Sequence, residues 1–362
     1  MRFYIVALVA LAAVACGKRA KGPAYKVVEL SMHGESVCAA MQDGTVKCWG
    51  DNTGGLLIAG APASVTVPTE VPGIAGAEHV SVGDGFACAI TTKKALWCWG
   101  RNDHGQLGDT TTDPRAMPMP VVGIDAVDAI AVGDSHACAL AHSAVLCWGD
   151  GGSGQVGDGS SVQRTKPVAV AIGLSTAIAA GGNTSCAILD DTSAKCWGEG
   201  SDGQLGNGKR VSSPKPVTVA ALGLTAIAMS NRHACARTLD EHATCWGDGA
   251  SGELGDGTHE ARLQPTTVKD IAGVTRVAVG DSRSCARIGD STVHCWGDVP
   301  EATHGAEERV QGIYEASDVA MSGRSRCVVM KDLWLRCWGA NAHGQLADGT
   351  TTDSPVPTPI HY

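Results

Sequence analysis

The sequence predicts an all-β protein, a seven-bladed β-propeller whose ring is closed when the C-terminal strand completes the first blade. Glycine accounts for 47 of the 362 residues, nearly twice its usual share, which favours many turns between short strands. Hydrophobic residues make up 44% of the chain, which is enough for a large core. The triplet Cys-Trp-Gly recurs seven times at a period of about 50 residues, and such a period is typical of repeat architectures.

Each repeat is marked by the tryptophan of its triplet and contains four predicted strands. In the second repeat these strands are expected at residues 80–83, 87–90, 96–99 and 117–122, where apolar residues alternate with small ones or lie between prolines. Four strands in each of seven repeats is the arrangement of a β-propeller. The seven marker tryptophans are Trp49, Trp99, Trp148, Trp197, Trp246, Trp296 and Trp338.

A single domain, residues 27–362, accommodates all seven repeats. The first repeat begins at Val27 and has no extended, proline-bounded segment upstream of it, whereas the chain ends on such a segment at residues 355–360. We therefore expect the C-terminal strand to complete the first blade, because a closed ring leaves few exposed strand edges.

Residues 1–15 form a predicted signal peptide of the lipoprotein type. Arg2 precedes an apolar run that is too short for a transmembrane helix but suits a secretory signal. The segment before Cys16 resembles a bacterial lipobox, which implies that Cys16 is lipidated and that residues 16–26 form a tether. Cleavage without lipidation and a retained anchor are the alternatives. The expected location is the bacterial cell envelope, as an outer-membrane lipoprotein, or otherwise the periplasm or the medium.

The other fourteen cysteines form seven pairs, one in each repeat. A three-residue turn at 42–44 places Cys38 opposite Cys48 on antiparallel strands, at a separation that a disulfide spans. The closer spacing of the third pair implies a different turn, at 141–144. Export favours seven disulfides, and free buried thiols or zinc ligands are the alternatives. The predicted pairs are Cys38–Cys48, Cys88–Cys98, Cys138–Cys147, Cys186–Cys196, Cys235–Cys245, Cys285–Cys295 and Cys327–Cys337.

The sequence contains no motif of nucleophilic catalysis, metal binding or phosphate binding, so no catalytic residue, metal or cofactor is expected. The phased tryptophans are interpreted as packing residues between blades, with a carbohydrate-stacking ring as the alternative. The Gly-Asp-Gly-Thr segments lack the ligand spacing of a calcium loop and are interpreted as turns. The repeated histidines His136 and His233 are expected to satisfy backbone groups rather than to bind a metal.

The turns between the first two strands of each repeat are the candidate binding face, because they vary while the scaffold repeats. Repeats one to three are expected to form an acidic side of this face and repeats five to seven a basic side, an arrangement that orients a charged partner. Ordinary solvated turns are the alternative. The candidate residues are Glu35, Asp84, Phe86, Asp134, His136, Arg232, His233, Arg283, Arg324 and Arg326.

A second motif, Asn-x-x-Gly-Gln-Leu-Gly, follows the triplet. It is complete at residues 102–108 and partial at 203–206, 252–255 and 341–346. Together with the Cys-Ala strand and the Trp-Gly pair, it resembles the repeats of the regulator of chromosome condensation family across residues 27–362. The resemblance implies a seven-bladed propeller. Repeats one and six depart from the motif, at 54–58 and 298–304, so the ring is expected to lose its symmetry there.

These observations together predict an exported, lipid-anchored scaffold that binds another protein or an envelope ligand, without enzyme activity. A glycan-acting hydrolase or lyase is one alternative, and the family resemblance adds a secreted enzyme inhibitor and a guanine-nucleotide exchange factor. The formal charge of −9 argues against nucleic-acid binding. Membrane contact is expected only through the lipid anchor, and the protein is expected to be a monomer.

Overall fold

The computed structural model describes residues 26–55, 57–298 and 308–360, and the ordered elements in these ranges are β-strands. Within the same ranges no helix is long and apolar enough to cross a membrane. The predicted signal peptide, Cys16 and the tether as far as residue 25 lie outside the described residues.

The strands form seven antiparallel sheets of four strands each. Blade one contains β1 (Val27–His33), β2 (Ser36–Met41), β3 (Val46–Asp51) and β4 (Ser64–Glu70). Blade two contains β5 (Ala77–Val82), β6 (Phe86–Thr91), β7 (Leu96–Gly100) and β8 (Arg115–Pro120). Blade three contains β9 (Val127–Val132), β10 (His136–Ala141), β11 (Ala144–Gly149) and β12 (Arg164–Ala169).

The remaining blades repeat this order. Blade four contains β13 (Ser175–Gly181), β14 (Thr184–Leu189), β15 (Ala194–Gly198) and β16 (Ser213–Thr218). Blade five contains β17 (Leu224–Met229), β18 (His233–Thr238), β19 (Ala243–Gly247) and β20 (Arg262–Thr267). Blade six contains β21 (Val274–Val279), β22 (Arg283–Ile288), β23 (Val293–Gly297) and β24 (Glu308–Arg309). Blade seven contains β25 (Ala316–Ser322), β26 (Ser325–Met330), β27 (Leu335–Gly339) and β28 (Ser354–Pro359).

Composition explains the place of each strand in its blade. Second strands such as β2 and β6 are buried along their whole length, and their small apolar residues fit the narrow space between neighbouring blades. Outer strands such as β8 and β28 carry prolines, which are tolerated at a sheet edge because no ladder hydrogen bond is lost there. The all-β, seven-bladed prediction is confirmed.

The ring does not close in the predicted way. The C-terminal strand β28 pairs with β27 in blade seven, with Cys337 opposite Thr358, whereas blade one obtains its fourth strand from its own repeat, β4. The prediction was wrong because the proline-bounded segment pairs with the strand that precedes it in the chain, as sequential strands usually do. Blades seven and one are instead joined by contacts such as the 3.1 Å hydrogen bond from Val27 N to Leu333 O.

All seven predicted cysteine pairs are disulfides between the second and third strands of one blade. Cys38 lies directly opposite Cys48 in the ladder, as the turn at 42–44 requires. In blade three, Ala141 faces Ala144 and the two residues between them both have positive φ, which is the geometry of a two-residue type I′ turn. The register therefore follows from turn length.

Removing one disulfide tests its contribution to stability. The variant Cys88→Ala/Cys98→Ala opens a bridge between residues ten apart, and we expect the free energy of unfolding to fall by about 3 kcal/mol because the unfolded chain regains entropy. Guanidinium unfolding of the variant and the wild type measures the change. Alkylation before and after reduction is the control for oxidation, and an unchanged unfolding curve contradicts the prediction.

Candidate functional site

The propeller has two faces that differ in the connections they carry. The top face contains the turns between first and second strands. Outside these turns lies the residue that follows each Cys-Trp-Gly triplet. Arg101 is an example, and its amide donates to Gly85 O at 2.9 Å. The bottom face contains the turns between second and third strands and the links between blades. The predicted binding face is therefore the top face.

Six of the ten candidate residues lie on the top face with exposed or half-buried side chains. They are Glu35, Asp84, Asp134, Arg232, Arg283 and Arg324. Backbone hydrogen bonds connect neighbouring turns, since Asp84 N donates to Asp134 O at 3.1 Å and Asp134 N donates to Gly182 O at 2.9 Å. These bonds link the turns of blades two, three and four, and we call the seven turns around the channel mouth the inner ring.

The other four candidates are buried beneath this face and are not available to a partner. Phe86, His136 and His233 are 0% exposed, and Arg326 is 8% exposed. Arg326 lies over the ring of Trp338, with 5.8 Å between its guanidinium carbon and the ring centre. Their burial has a common cause, because each belongs to a second strand that is packed between two blades.

His136 joins blade three to blade four. Its Nε2 lies 2.8 Å from Ser185 Oγ, and that hydroxyl donates to Gln155 O at 2.9 Å. Trp197 Nε1 donates to the same carbonyl at 2.8 Å. Because the serine proton is used on Gln155, the imidazole is the donor to Ser185. Burial lowers the pKa of His136 to about 4, so it is neutral at pH 7.

His233 repeats this arrangement between blades five and six. Its Nε2 lies 2.9 Å from Ser284 Oγ, which donates to Glu253 O at 2.9 Å, and its Nδ1 lies 2.9 Å from Ser230 Oγ. Burial lowers the pKa of His233 to about 3. Both histidines therefore reach a backbone carbonyl through a serine of the next blade, which refines the expectation that they satisfy backbone groups directly.

Sequence reasoning missed a second, outer ring of charges on the top face. The residue after each triplet is acidic in five of the seven blades, and the amide of this residue is bonded to the adjacent inner turn, as for Asp150 N and Ser135 O at 2.8 Å. The sequence shows this ring as an acidic residue directly after the Trp-Gly pair in five repeats. The five residues are Asp51, Asp150, Glu199, Asp248 and Asp298.

The outer ring adds carboxylates to the side of the face that was expected to be basic. Arg232, assigned to the basic side, is paired with Asp202 at 3.1 Å and with Asp248 at 2.9 Å. On the other side, Asp84 is paired with Arg101 at 2.6 Å. Outside the buried Arg326, the two rings together carry nine carboxylates and four arginines, so the described top face is acidic overall.

His33 and Asp134 form an ion pair across the top mouth of the channel. Their side chains, from blades one and three, are 3.0 Å apart. Burial alone would raise the pKa of Asp134, but the hydrogen bond from His33 brings this pKa below its ordinary value. The pair connects two blades that are not neighbours in the ring, so it restricts the channel at the top face.

The central channel has a volume of about 400 Å³ and is bordered by the first strands of all seven blades. Glu29 of blade one borders the channel, and Asp318 comes from the adjacent blade seven. Each carboxylate is held in an ion pair, Glu29 with His79 and Asp318 with Arg276.

The Gly-Asp-Gly-Thr segments and the phased tryptophans have the structural roles that the sequence indicated. Asp256 Oδ1 accepts hydrogen bonds from both the amide and the hydroxyl of Thr258, at 2.9 and 2.7 Å, which defines a turn. The marker tryptophans are at most 4% exposed, so they are packing residues and do not form a carbohydrate-stacking ring.

Acid stability tests the neutral state of His136. The pKa of His136 is lower in the folded than in the unfolded protein, so its contribution to the free energy of unfolding is complete above about pH 6.5. This contribution falls by about 3 kcal/mol as the pH falls towards 4. The variant His136→Phe/Ser185→Ala copies the residues at the equivalent positions of blades two and three, Phe86 and Ala137, which belong to one hydrophobic cluster. We expect its unfolding free energy to fall less than that of the wild type between pH 7 and 4, as urea unfolding at each pH measures. Parallel curves contradict the prediction.

Comparisons with known proteins agree with this architecture. The family model for the RCC1-like domain matches residues 46–361. Human WBSCR16 is similar in structure, with a TM-score of 0.78 over 88% of this chain and 94% of that chain at 19% identity. No curated protein sequence shows significant similarity to the chain.

Two further solved structures share the fold. Prp20p from Saccharomyces cerevisiae gives a TM-score of 0.76 over 89% of this chain and 86% of that chain, at 21% identity. The ectodomain of the receptor kinase ACR4 from Arabidopsis thaliana gives a TM-score of 0.53 over 92% of this chain and 100% of that chain, at 20% identity. The fold is thus that of a seven-bladed β-propeller, and because the family match extends over most of the chain, the chain belongs to the family of RCC1-like domains.

Proposed function

We propose that this protein is an exported, lipid-anchored scaffold of the bacterial cell envelope, without enzyme activity, that binds another protein through its top face. The observation that carries the proposal is the acidic double ring of the top face, which varies from blade to blade on a repeated scaffold. Such variation is typical of loops that recognise partners. The acidic charge favours a partner with a basic surface, because complementary charge accelerates association and excludes unsuitable partners.

The position of the tether supports this choice of face. The chain enters the ring at Val27, which lies at the bottom face beside Leu333. The ten residues from Gly17 to Lys26 span at most about 35 Å when fully extended. A lipid on Cys16 would therefore hold the bottom face towards the membrane and leave the top face open to a partner.

The relatives provide a second support, at the level of the fold. A solved structure of Prp20p is described together with its binding to Gsp1p and histones, and another structure has Kap60 bound to this yeast protein. These partners belong to those proteins. For this chain they support protein binding as the kind of function, and they do not identify its partner.

Lipidation is tested at Cys16 itself. In cells fed radiolabelled palmitate, we expect the wild-type protein to be labelled and to sediment with membranes, because the thiol carries the acyl groups. Cys16→Ser removes the acceptor and is expected to abolish both properties. Cys38→Ser/Cys48→Ser, which lacks two other cysteines, is the matched control and should stay labelled. An unlabelled wild type refutes the anchor and leaves secretion as the alternative.

Charge reversal tests the top face. The variant Asp150→Lys/Asp281→Lys/Asp298→Lys changes three top-face carboxylates, and Asp125→Lys/Asp190→Lys/Asp332→Lys makes the same change in charge on the bottom face. After cross-linking in intact cells, we expect the top-face variant to lose at least about 90% of a partner adduct that the bottom-face variant retains. Equal adduct yields from the two variants would show that the top face does not bind the partner.

A further inference from the structure

Four charged side chains occupy the same position on the first strands of four successive blades. Each follows the register shift near the start of its strand, and each strand begins at the bottom face. The position is filled by alanine in blades three to five, at Ala129, Ala177 and Ala226. The four charged residues, in ring order, are Arg276, Asp318, Glu29 and His79; we call them the channel cluster.

The channel cluster consists of two ion pairs. Arg276 Nε lies 2.9 Å from Asp318 Oδ1, and His79 Nδ1 lies 3.2 Å from Glu29 Oε2. Val80 N also donates to Glu29 Oε2, at 2.9 Å. The cationic side chains are the more open members, since Arg276 is 51% exposed and His79 is 42% exposed, against 17% for Asp318 and 30% for Glu29. Both cations therefore keep donor groups on the open side of the cluster.

The two carboxylates are close enough to affect each other. Burial raises the pKa of Asp318, and the charge of Glu29 raises it further. The hydrogen bond with Glu29 raises the pKa of His79, which increases the charged fraction of the imidazole. Each carboxylate is held in an ion pair with its cationic neighbour, and in ring order the cluster is therefore positive, negative, negative, positive.

We propose that the channel cluster binds a linear bis-amino acid, a small molecule in which two ammonium groups lie between two terminal carboxylates. Its charge order is the complement of the cluster, because the carboxylates meet Arg276 and His79 while the ammonium groups meet Asp318 and Glu29. Charge-assisted hydrogen bonds of this kind are the strongest available to such a ligand. Glu29 and Arg276 border the channel, whose volume of about 400 Å³ is in the range of small-ligand sites.

A set of three related compounds tests the charge order. Calorimetric titration of the purified full-length protein at pH 6 uses diaminopimelate, pimelate, which lacks its ammonium groups, and cadaverine, which lacks its carboxylates. We expect diaminopimelate to bind at least about tenfold more tightly than either analogue. No binding of diaminopimelate, or equal binding of one analogue, overturns the proposal.

Paired variants then locate the site. Arg276→Gln/Asp318→Asn removes one ion pair while keeping hydrogen-bonding side chains of similar size, and it is expected to weaken diaminopimelate binding at least about tenfold. Arg232→Gln/Asp202→Asn removes a comparable pair from the top face and should bind like the wild type. If the first variant unfolds, His79→Gln/Glu29→Gln tests the same cluster. Wild-type affinity in a folded channel variant refutes the site.

Discussion

The contact between the marker tryptophan of one blade and the loop of the preceding blade is the interaction on which the ring depends. In six junctions the indole Nε1 donates to a loop carbonyl at 2.8–3.0 Å. The loop must approach the indole closely. At Gly108, whose φ is +66°, a Cβ would lie 2.9 Å from Trp148 Nε1, which explains the glycine that ends the Gly-Gln-Leu-Gly motif. The last glycine of the motif is thus required by the tryptophan of the next blade.

The hydrogen bond from the marker tryptophan also joins the first blade to the last. Trp49 Nε1 donates to Gln345 O at 3.0 Å, so the ends of the chain are joined in the same way as adjacent repeats. Buried residues of blades one, two and seven, including Val27, Leu335 and Ile360, form one hydrophobic cluster. A shared strand is unnecessary because each repeat already supplies four strands and the same joining contact.

Periodicity and turn length were sufficient to predict the number of blades and the cysteine pairing, because both depend on residues close together in the sequence. The closing strand was predicted wrongly because this local rule was not applied to it: the last proline-bounded segment pairs with the strand that precedes it, as in the other blades. The burial of His136 depends on Ser185 of the next blade, 49 residues away. The outer acidic ring was present in the sequence, but its place beside the inner turns follows only from the backbone bonds of the top face.

The disulfides explain why side chains at the edges of each blade are free to vary. They bind the second strand to the third, and these two strands carry the tryptophan and the packed apolar residues that form the ring. The first strand borders the channel, where side chains of different size fit. At the same strand position, blade five has Ala226 and blade six has Arg276, and both strands keep the same register. Near the top of the second strand, by contrast, variation is limited to residues that fit between blades, such as Ala137 and Ser284, which are both 0% exposed. Recognition can therefore diversify at the channel and the top face while the joining contacts stay constant.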